Sequence, residues 1–179
     1  MGINNLALNW FESYLKHRKQ FVSFNGIDSS QLESKTGVPQ GSVLGPLLFL
    51  IYINDLNNVS NLFKIICFAD DSTLIVSLCF KTTSCKSCKK NPIHDSDTIN
   101  REIDKIFNWF CLNKLSINPD KTKYMLFKNK QRNTSDLTLP TLELNGTILE
   151  RVSEFLYLGI YLDENLSWDA HVNYIATKI

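Results

Sequence analysis

At the start of the chain, Ile3, Leu6, Trp10 and Tyr14 recur at helical spacing with Ala7, Phe11 and Leu15 beside them. This spacing predicts an amphipathic helix over 3–17. The basic cluster Lys16-His17-Arg18-Lys19 suits its C-terminal end. Residues 20–25 alternate as a strand up to the turn signal Asn25-Gly26, and 31–36 can return antiparallel. The loop Gly37-Val38-Pro39-Gln40-Gly41 then leads into the densest apolar run, VLGPLLFLIYI, which predicts a buried helix over about 42–56.

Segments 63–68 and 73–78 form a second candidate hairpin, with Ala69-Asp70-Asp71-Ser72 as its turn. Ile99, Ile103, Phe107 and Phe110 mark another helix, whose start is acidic (Asp95, Asp97) as the helix dipole favours. After the Asn118-Pro119-Asp120 turn, 122–127 reads as a strand, and 128–137 as a polar linker. Asn145-Gly146 sits between 142–144 and 147–149 as a third hairpin. Residues 155–162 read as one further strand. Trp168, Val172, Ile175 and Ile179 begin a last helix with Ser167 as N-cap, and its period runs to the final residue. The sum is three or four helices and about six short strands, an α+β layout with antiparallel strands covered by helices on one face.

A chain of 179 residues can build one domain with a real core, and 44% apolar with 21% charged residues is ordinary for a globular protein. The net charge of +1 argues against a strong nucleic-acid binder, but its distribution is uneven. Residues 81–132 carry 12 basic and 5 acidic side chains, leaving 7 basic and 13 acidic elsewhere. Such a basic middle suits a phosphate-facing surface or a solvated lysine-rich face. The apolar run over 43–53 contains Pro46 and is far shorter than the ~20 residues a membrane span needs, so no membrane role is expected. Five cysteines and no secretory leader predict a reduced intracellular setting, in nucleus or cytoplasm. Cys85-x-x-Cys88, with Cys79 and His94 nearby, allows a zinc site, against which a cysteine-containing surface loop is the simpler reading. Trp10, Trp109 and Trp168 lie on apolar helix faces, which predicts core packing rather than base stacking.

Candidate chemistry centres on the stretch CFADDSTLIV. Two adjacent carboxylates amid apolar residues are costly to bury unpaired, yet a divalent cation at a sheet rim offsets their repulsion. Two such ions about 3.5–4 Å apart can clamp the attacking and leaving oxygens of a phosphoryl transfer. A solvated turn is the plainer alternative, since Asp and Ser are common turn residues. In GVPQGS, Gly37 and Gly41 let backbone approach a ligand, Pro39 stiffens the path, and Gln40 offers a side-chain amide. A structural strand-to-helix turn would use the same residues.

Taken in order, SYLKHRKQFVSFNG, GVPQGSVLGPLLFLIYINDL, FADD, NKLSINPDKTKYMLF, FLYLGIYLD and LSWDAHV resemble the reverse transcriptase domain of non-LTR (LINE-type) retrotransposons. The resemblance covers almost the whole chain and is weakest over 80–97 and 128–140. It implies a partial polymerase palm over 1–153, then a primer-grip strand and the start of a helical thumb over 154–179. Asp70 and Asp71 match the family's metal-binding pair, with Phe68 and Ala69 in the slots before it. Pro39, Gln40 and Gly41 match the loop that contacts the incoming nucleotide and template-primer. Lys121 matches a lysine proposed to help protonate pyrophosphate, with Lys123 a second candidate. Tyr157, Leu158 and Gly159 match the primer grip.

The implied cofactor is Mg2+ in a two-metal site, and the implied partners are an RNA template, a DNA primer and deoxynucleoside triphosphates. The family's palm also needs an Asp on an earlier strand, whereas before Phe21 this chain has no Asp and a single acid, Glu12. The resemblance therefore implies an N-terminally truncated domain, with fingers and first catalytic strand missing, that does not polymerise DNA alone. Its alternatives are a catalytically dead retroelement relic and a non-catalytic nucleic-acid-binding module.

Overall fold

The computed structural model describes residues 2–78, 96–127 and 141–178. Cys79, Cys85, Cys88, His94 and the linker 128–137 lie outside the described residues. The chain divides into two compact units, 1–54 and 55–179. Each contains helices and short strands, so the α+β expectation holds.

In the first unit, α1 (Asn5–Leu15) is followed by β1 (Arg18–Gln20), β2 (Ser23–Phe24), β3 (Ile27–Asp28) and β4 (Leu32–Ser34). The strands nest: β2 pairs with β3 around Asn25-Gly26, and β1 pairs antiparallel with β4. Asn25 and Gly26 both take positive φ, 49° and 77°, which matches the turn twist to the strands. α2 (Gly45–Tyr52) is shorter than the predicted 42–56 and is not buried. Gly45 alone is buried in it, while Leu47, Leu50, Ile51 and Tyr52 are exposed. Small two-stranded ribbons offer no layer wide enough to cover an apolar helix all round. Trp10 is likewise exposed and stacks on Tyr14 with centroids 5.5 Å apart, so its predicted core role fails.

The second unit holds the core. A 3-10 turn (Leu56–Asn58) precedes β5 (Lys64–Phe68) and β6 (Asp71–Ile75), and then α3 (Ser96–Leu112). Ile99, Ile103 and Ile106, at helical spacing along α3, pack with Leu56, Phe63, Ile65, Leu144 and Leu149. Trp109 also packs against this cluster, as its helix face predicts, and its Nε1–H donates to Asp55 Oδ2 at 3.4 Å. The buried Ser60 hydroxyl links the layers by donating to Glu102 Oε2 at 2.6 Å and accepting from the Leu62 N–H at 3.1 Å.

Strand β7 (Lys123–Tyr124) is shorter than the expected 122–127, and it pairs parallel, not antiparallel, with β10 (Glu150–Arg151). The third hairpin forms as expected from β8 (Glu143–Leu144) and β9 (Thr147–Ile148). The single strand expected over 155–162 is instead a hairpin of β11 (Glu154–Tyr157) and β12 (Ile160–Asp163). Leu158 and Gly159 both take positive φ, 49° and 86°, and that pair breaks the strand. α4 (Asp169–Ala176) is preceded by Trp168 at the N-cap, one residue later than expected, and it ends before the last residues. Trp168 is exposed rather than in the core. Among the described residues no helix is long and apolar enough to cross a membrane.

Candidate functional site

The β5–β6 hairpin positions the aspartates. Its register pairs Lys64 with Ile75, Ile65 with Leu74, Ile66 with Thr73, Cys67 with Ser72, and Phe68 with Asp71. Paired residues share a face and successive residues alternate. Phe63 and Ile65 are buried, and Cys67 and Leu74 pack partly buried beside them, so these four face the core. Ile66, Phe68, Asp71 and Thr73 occupy the opposite face. Only Ala69 and Asp70 form the turn, which is tighter than the four residues expected, and Ala69 takes a left-handed φ of 51°. Asp70 and Asp71 are both exposed at this tip. The apolar strands therefore anchor the hairpin without burying either carboxylate.

Two hard oxygen donors on a rigid, solvent-facing tip suit Mg2+, which takes one or two carboxylates and keeps several waters. Among the described residues no group of three or more His, Cys, Asp or Glu side chains is placed to hold a metal. The aspartate pair fits the ion as part of a ligand set.

The outer face of this hairpin meets a second tip. Thr73 Oγ1 donates to the Tyr157 hydroxyl at 3.2 Å, across 84 positions of sequence. Tyr157 is the last residue of β11 and pairs with Ile160 across the Leu158-Gly159 turn. Tyr157, Leu158 and Gly159 are thus brought to the strand that carries Asp71.

In the first unit, the Gln40 loop is held at both ends. Arg18 Nη2 donates to the carbonyls of Thr36 at 2.9 Å and Gly37 at 2.6 Å, and its Nε donates to the Leu15 carbonyl at 3.1 Å. At the far end, Ser42 Oγ accepts from the Gly45 N–H at 3.0 Å, and the Ser42 N–H donates to the Pro39 carbonyl at 3.2 Å. A Cβ on Gly45 would lie 3.0 Å from Ser42 Oγ and 3.4 Å from Val38 Cγ2, so glycine permits this close entry into α2. Gly37 and Gly41 take φ of 72° and 79°, and a Cβ on either would meet open space. These two serve backbone direction. Gln40 is exposed at the loop's crest. Arg18 was hidden from sequence reasoning inside a basic run that also reads as a helix-end charge cluster.

The chain matches the family described as Reverse transcriptase (RNA-dependent DNA polymerase) over residues 1–162. It belongs to the reverse transcriptases. The RNA-directed DNA polymerase from mobile element jockey of Drosophila funebris is 31% identical over 169 residues, covering 90% of this chain and 17% of that protein. The probable RNA-directed DNA polymerases from transposon BS and transposon X-element of Drosophila melanogaster are each 30% identical, covering 90% and 94% of this chain and 17% of each relative. The chain therefore spans about one sixth of the length of these non-LTR retrotransposon relatives. No solved structure matches it significantly.

The matched span, 1–162, runs through the loop bearing Gln40, the Asp70–Asp71 tip, the Asn118-Pro119 turn and the Leu158-Gly159 turn. The two lysines behind the Asn118-Pro119 turn differ in freedom. Lys123 is half-buried and ion-paired with Glu150 across the β7–β10 ladder, so its charge is already engaged. Lys121 is exposed, and its backbone N–H donates to Asn118 Oδ1 at 3.3 Å. Of the two, Lys121 has the ammonium accessible to a ligand.

Proposed function

We propose that this chain is a partial reverse transcriptase palm (1–153), followed by a primer-gripping hairpin and the beginning of a thumb (154–179), and that it serves RNA-directed DNA synthesis. What carries the reading is the pair of exposed carboxylates, Asp70 and Asp71, at the tip of a hairpin whose inner face is locked into the core. Such a tip holds charge at a fixed point while leaving it open to a ligand.

Asp70 and Asp71 would hold Mg2+, completed by a further carboxylate from outside the described residues. When bound, the ions lower the pKa of the attacking hydroxyl and offset charge on the phosphates. The rest is this chain's own work. The Gln40 amide, raised on a loop pinned at both ends, orients the base or sugar of the incoming nucleotide. Pro39 and Gly41 keep that backbone close to the template-primer, and Phe68 and Ala69 shape the approach to the carboxylates. Lys121 Nζ supplies a proton to the leaving pyrophosphate oxygen. Leu158 and Gly159 offer a narrow turn against the primer backbone.

The test is Asp70→Asn, and separately Asp71→Asn, in a full-length polymerase carrying this chain as its matching segment. Each substitution is expected to abolish Mg2+-dependent primer extension on an RNA template while leaving RNA binding in place. Extension at near wild-type rate would remove the metal assignment. A second reading, nucleic-acid binding without chemistry, is favoured by the excess of basic residues over 81–132. It predicts binding that weakens steeply with salt and ignores Mg2+. Absence of extension by the unsubstituted protein would point to a catalytically dead relic.

A further inference from the structure

The Thr73–Tyr157 hydrogen bond joins two hairpins that nothing else in the sequence would pair, and it does so at a consequential spot. Asp71 and Thr73 are two positions apart on β6, so their side chains emerge on the same face about 7 Å apart. That face is the outer one, away from the core. Tyr157 arrives from β11, directly before the Leu158-Gly159 turn. Thr73 Oγ1 donates to its hydroxyl at 3.2 Å, in a partly buried setting where a hydroxyl does best with a partner. The phenol ring also bridges more distance than a shorter side chain could span.

We propose that Tyr157 is a positioning residue that sets the separation between the Leu158-Gly159 turn and the Asp70–Asp71 tip. It touches no reacting atom. Its hydroxyl, held by Thr73, fixes the second hairpin against the first, so that a primer terminus resting on the turn meets the carboxylates in register. Misplacement of about 1 Å at a reacting centre can cost on the order of a hundredfold in rate. A single hydrogen bond can therefore matter more to turnover than to stability. The inference rests on the polymerase reading given above for its consequence in turnover, but not for the link itself.

Two measurements separate those parts. In the 179-residue chain, Thr73→Val, Tyr157→Phe and the double variant are compared by amide hydrogen exchange over β6 and β11. Each single variant is expected to lose roughly two- to tenfold protection, the weight of one hydrogen bond, and the double variant no more than either single. Thr73→Ser, which keeps the hydroxyl, is expected to restore protection. Additive losses, or no loss, would overturn the link whatever the chain's activity.

In the full-length polymerase carrying this chain, Tyr157→Phe is expected to lower kcat for primer extension at least tenfold, with KM for template-primer changed less than threefold, and Thr73→Val to do the same. Unchanged kcat in both variants, with the unsubstituted polymerase active, would overturn the positioning role. An inactive unsubstituted polymerase would instead count against the polymerase reading, and the exchange experiment would still decide the link.

Discussion

Arg18 and Gly37 are joined by a 2.6 Å hydrogen bond from the guanidinium Nη2 to the glycine carbonyl, and the same nitrogen reaches the Thr36 carbonyl at 2.9 Å. The bond fastens the start of β1, itself tied back to α1 through the Leu15 carbonyl, to the start of the loop that bears Gln40. Loops that must present a side chain accurately need such fixed ends, because the loop itself has no ladder to hold it.

Arg18→Lys keeps the charge but loses the planar fork that reaches two carbonyls and the Leu15 carbonyl at once. It is expected to cost about 1–2 kcal/mol, within the range for hydrogen bonds to charged groups at a half-buried site. Amide exchange over 36–42 should accelerate in the variant. Exchange identical to the parent chain would mean that the loop holds its shape without Arg18.

Glu102 gives a pH dependence. Hydrogen bonds from Lys105 first and then Ser60 hold its carboxyl below the ordinary value of 4.5. Because the folded pKa is the lower one, the stabilisation is complete above the unfolded carboxylate range and drains away as pH falls through the folded value. Glu102→Gln should therefore be less stable than the parent at pH 7 and lose less of its stability on acidification. Urea unfolding at pH 7 and in the acid range checks this, and equal losses in the two proteins would sink it.

Asp163 is 8% exposed, and its carboxylate accepts from the Asn165 N–H at 2.8 Å, the Ser167 N–H at 3.1 Å and the Ser167 hydroxyl at 2.6 Å. It ties the end of β12 to the start of α4. Asp163→Ala strips all three donors of their acceptor and is expected to cost about 2–3 kcal/mol, since each stranded donor near the interior carries a desolvation penalty. A thermal midpoint shifted by less than a degree would show the turn to be held by other contacts.

Val43 at 94% exposure, with Leu47, Leu50 and Ile51 also exposed, leaves a large apolar surface at and beside α2. Patches of this kind drive association. The isolated chain is expected to aggregate on concentration, and Leu50→Lys with Ile51→Glu to raise the soluble fraction severalfold, as sedimentation would measure. A monodisperse parent chain with a sharp, reversible unfolding transition would contradict this.

Elements whose information is local were legible in the sequence. The Asn25-Gly26 and Asn145-Gly146 hairpins follow from residues that accept positive φ, and α3 follows from isoleucines spaced to line one face. The FADD hairpin follows from two apolar runs flanking a polar tip. The motif words likewise single out Gln40, Asp70, Asp71, Lys121 and Tyr157 as candidates, because they reside in short runs of residue identity. Elements that depend on a distant partner were not legible. β7 is only two residues long because its partner, β10, comes from 27 positions away and pairs over no more than that. Nor does the run FLYLGIYLD announce a turn, because Leu158 is a poor turn residue and adopts φ of 49° only where the paired strands require it.

By itself, then, the sequence determined the family and the locally encoded turns and named the candidate chemistry-bearing residues, because these reside in residue identity and short spacing. Tertiary structure decided the rest: that Asp71 belongs to a strand, that Lys123 is engaged by Glu150 while Lys121 is exposed, that Arg18 clamps the Gln40 loop, and that Thr73 meets Tyr157. Lys123 with Glu150 and Thr73 with Tyr157 are pairings between groups far apart along the chain, and Arg18 reaches 18 and 19 positions ahead. Within the second unit such pairings exist only once burial of Ile65, Ile99, Ile103 and Leu144 in one core has brought its strands and helices together.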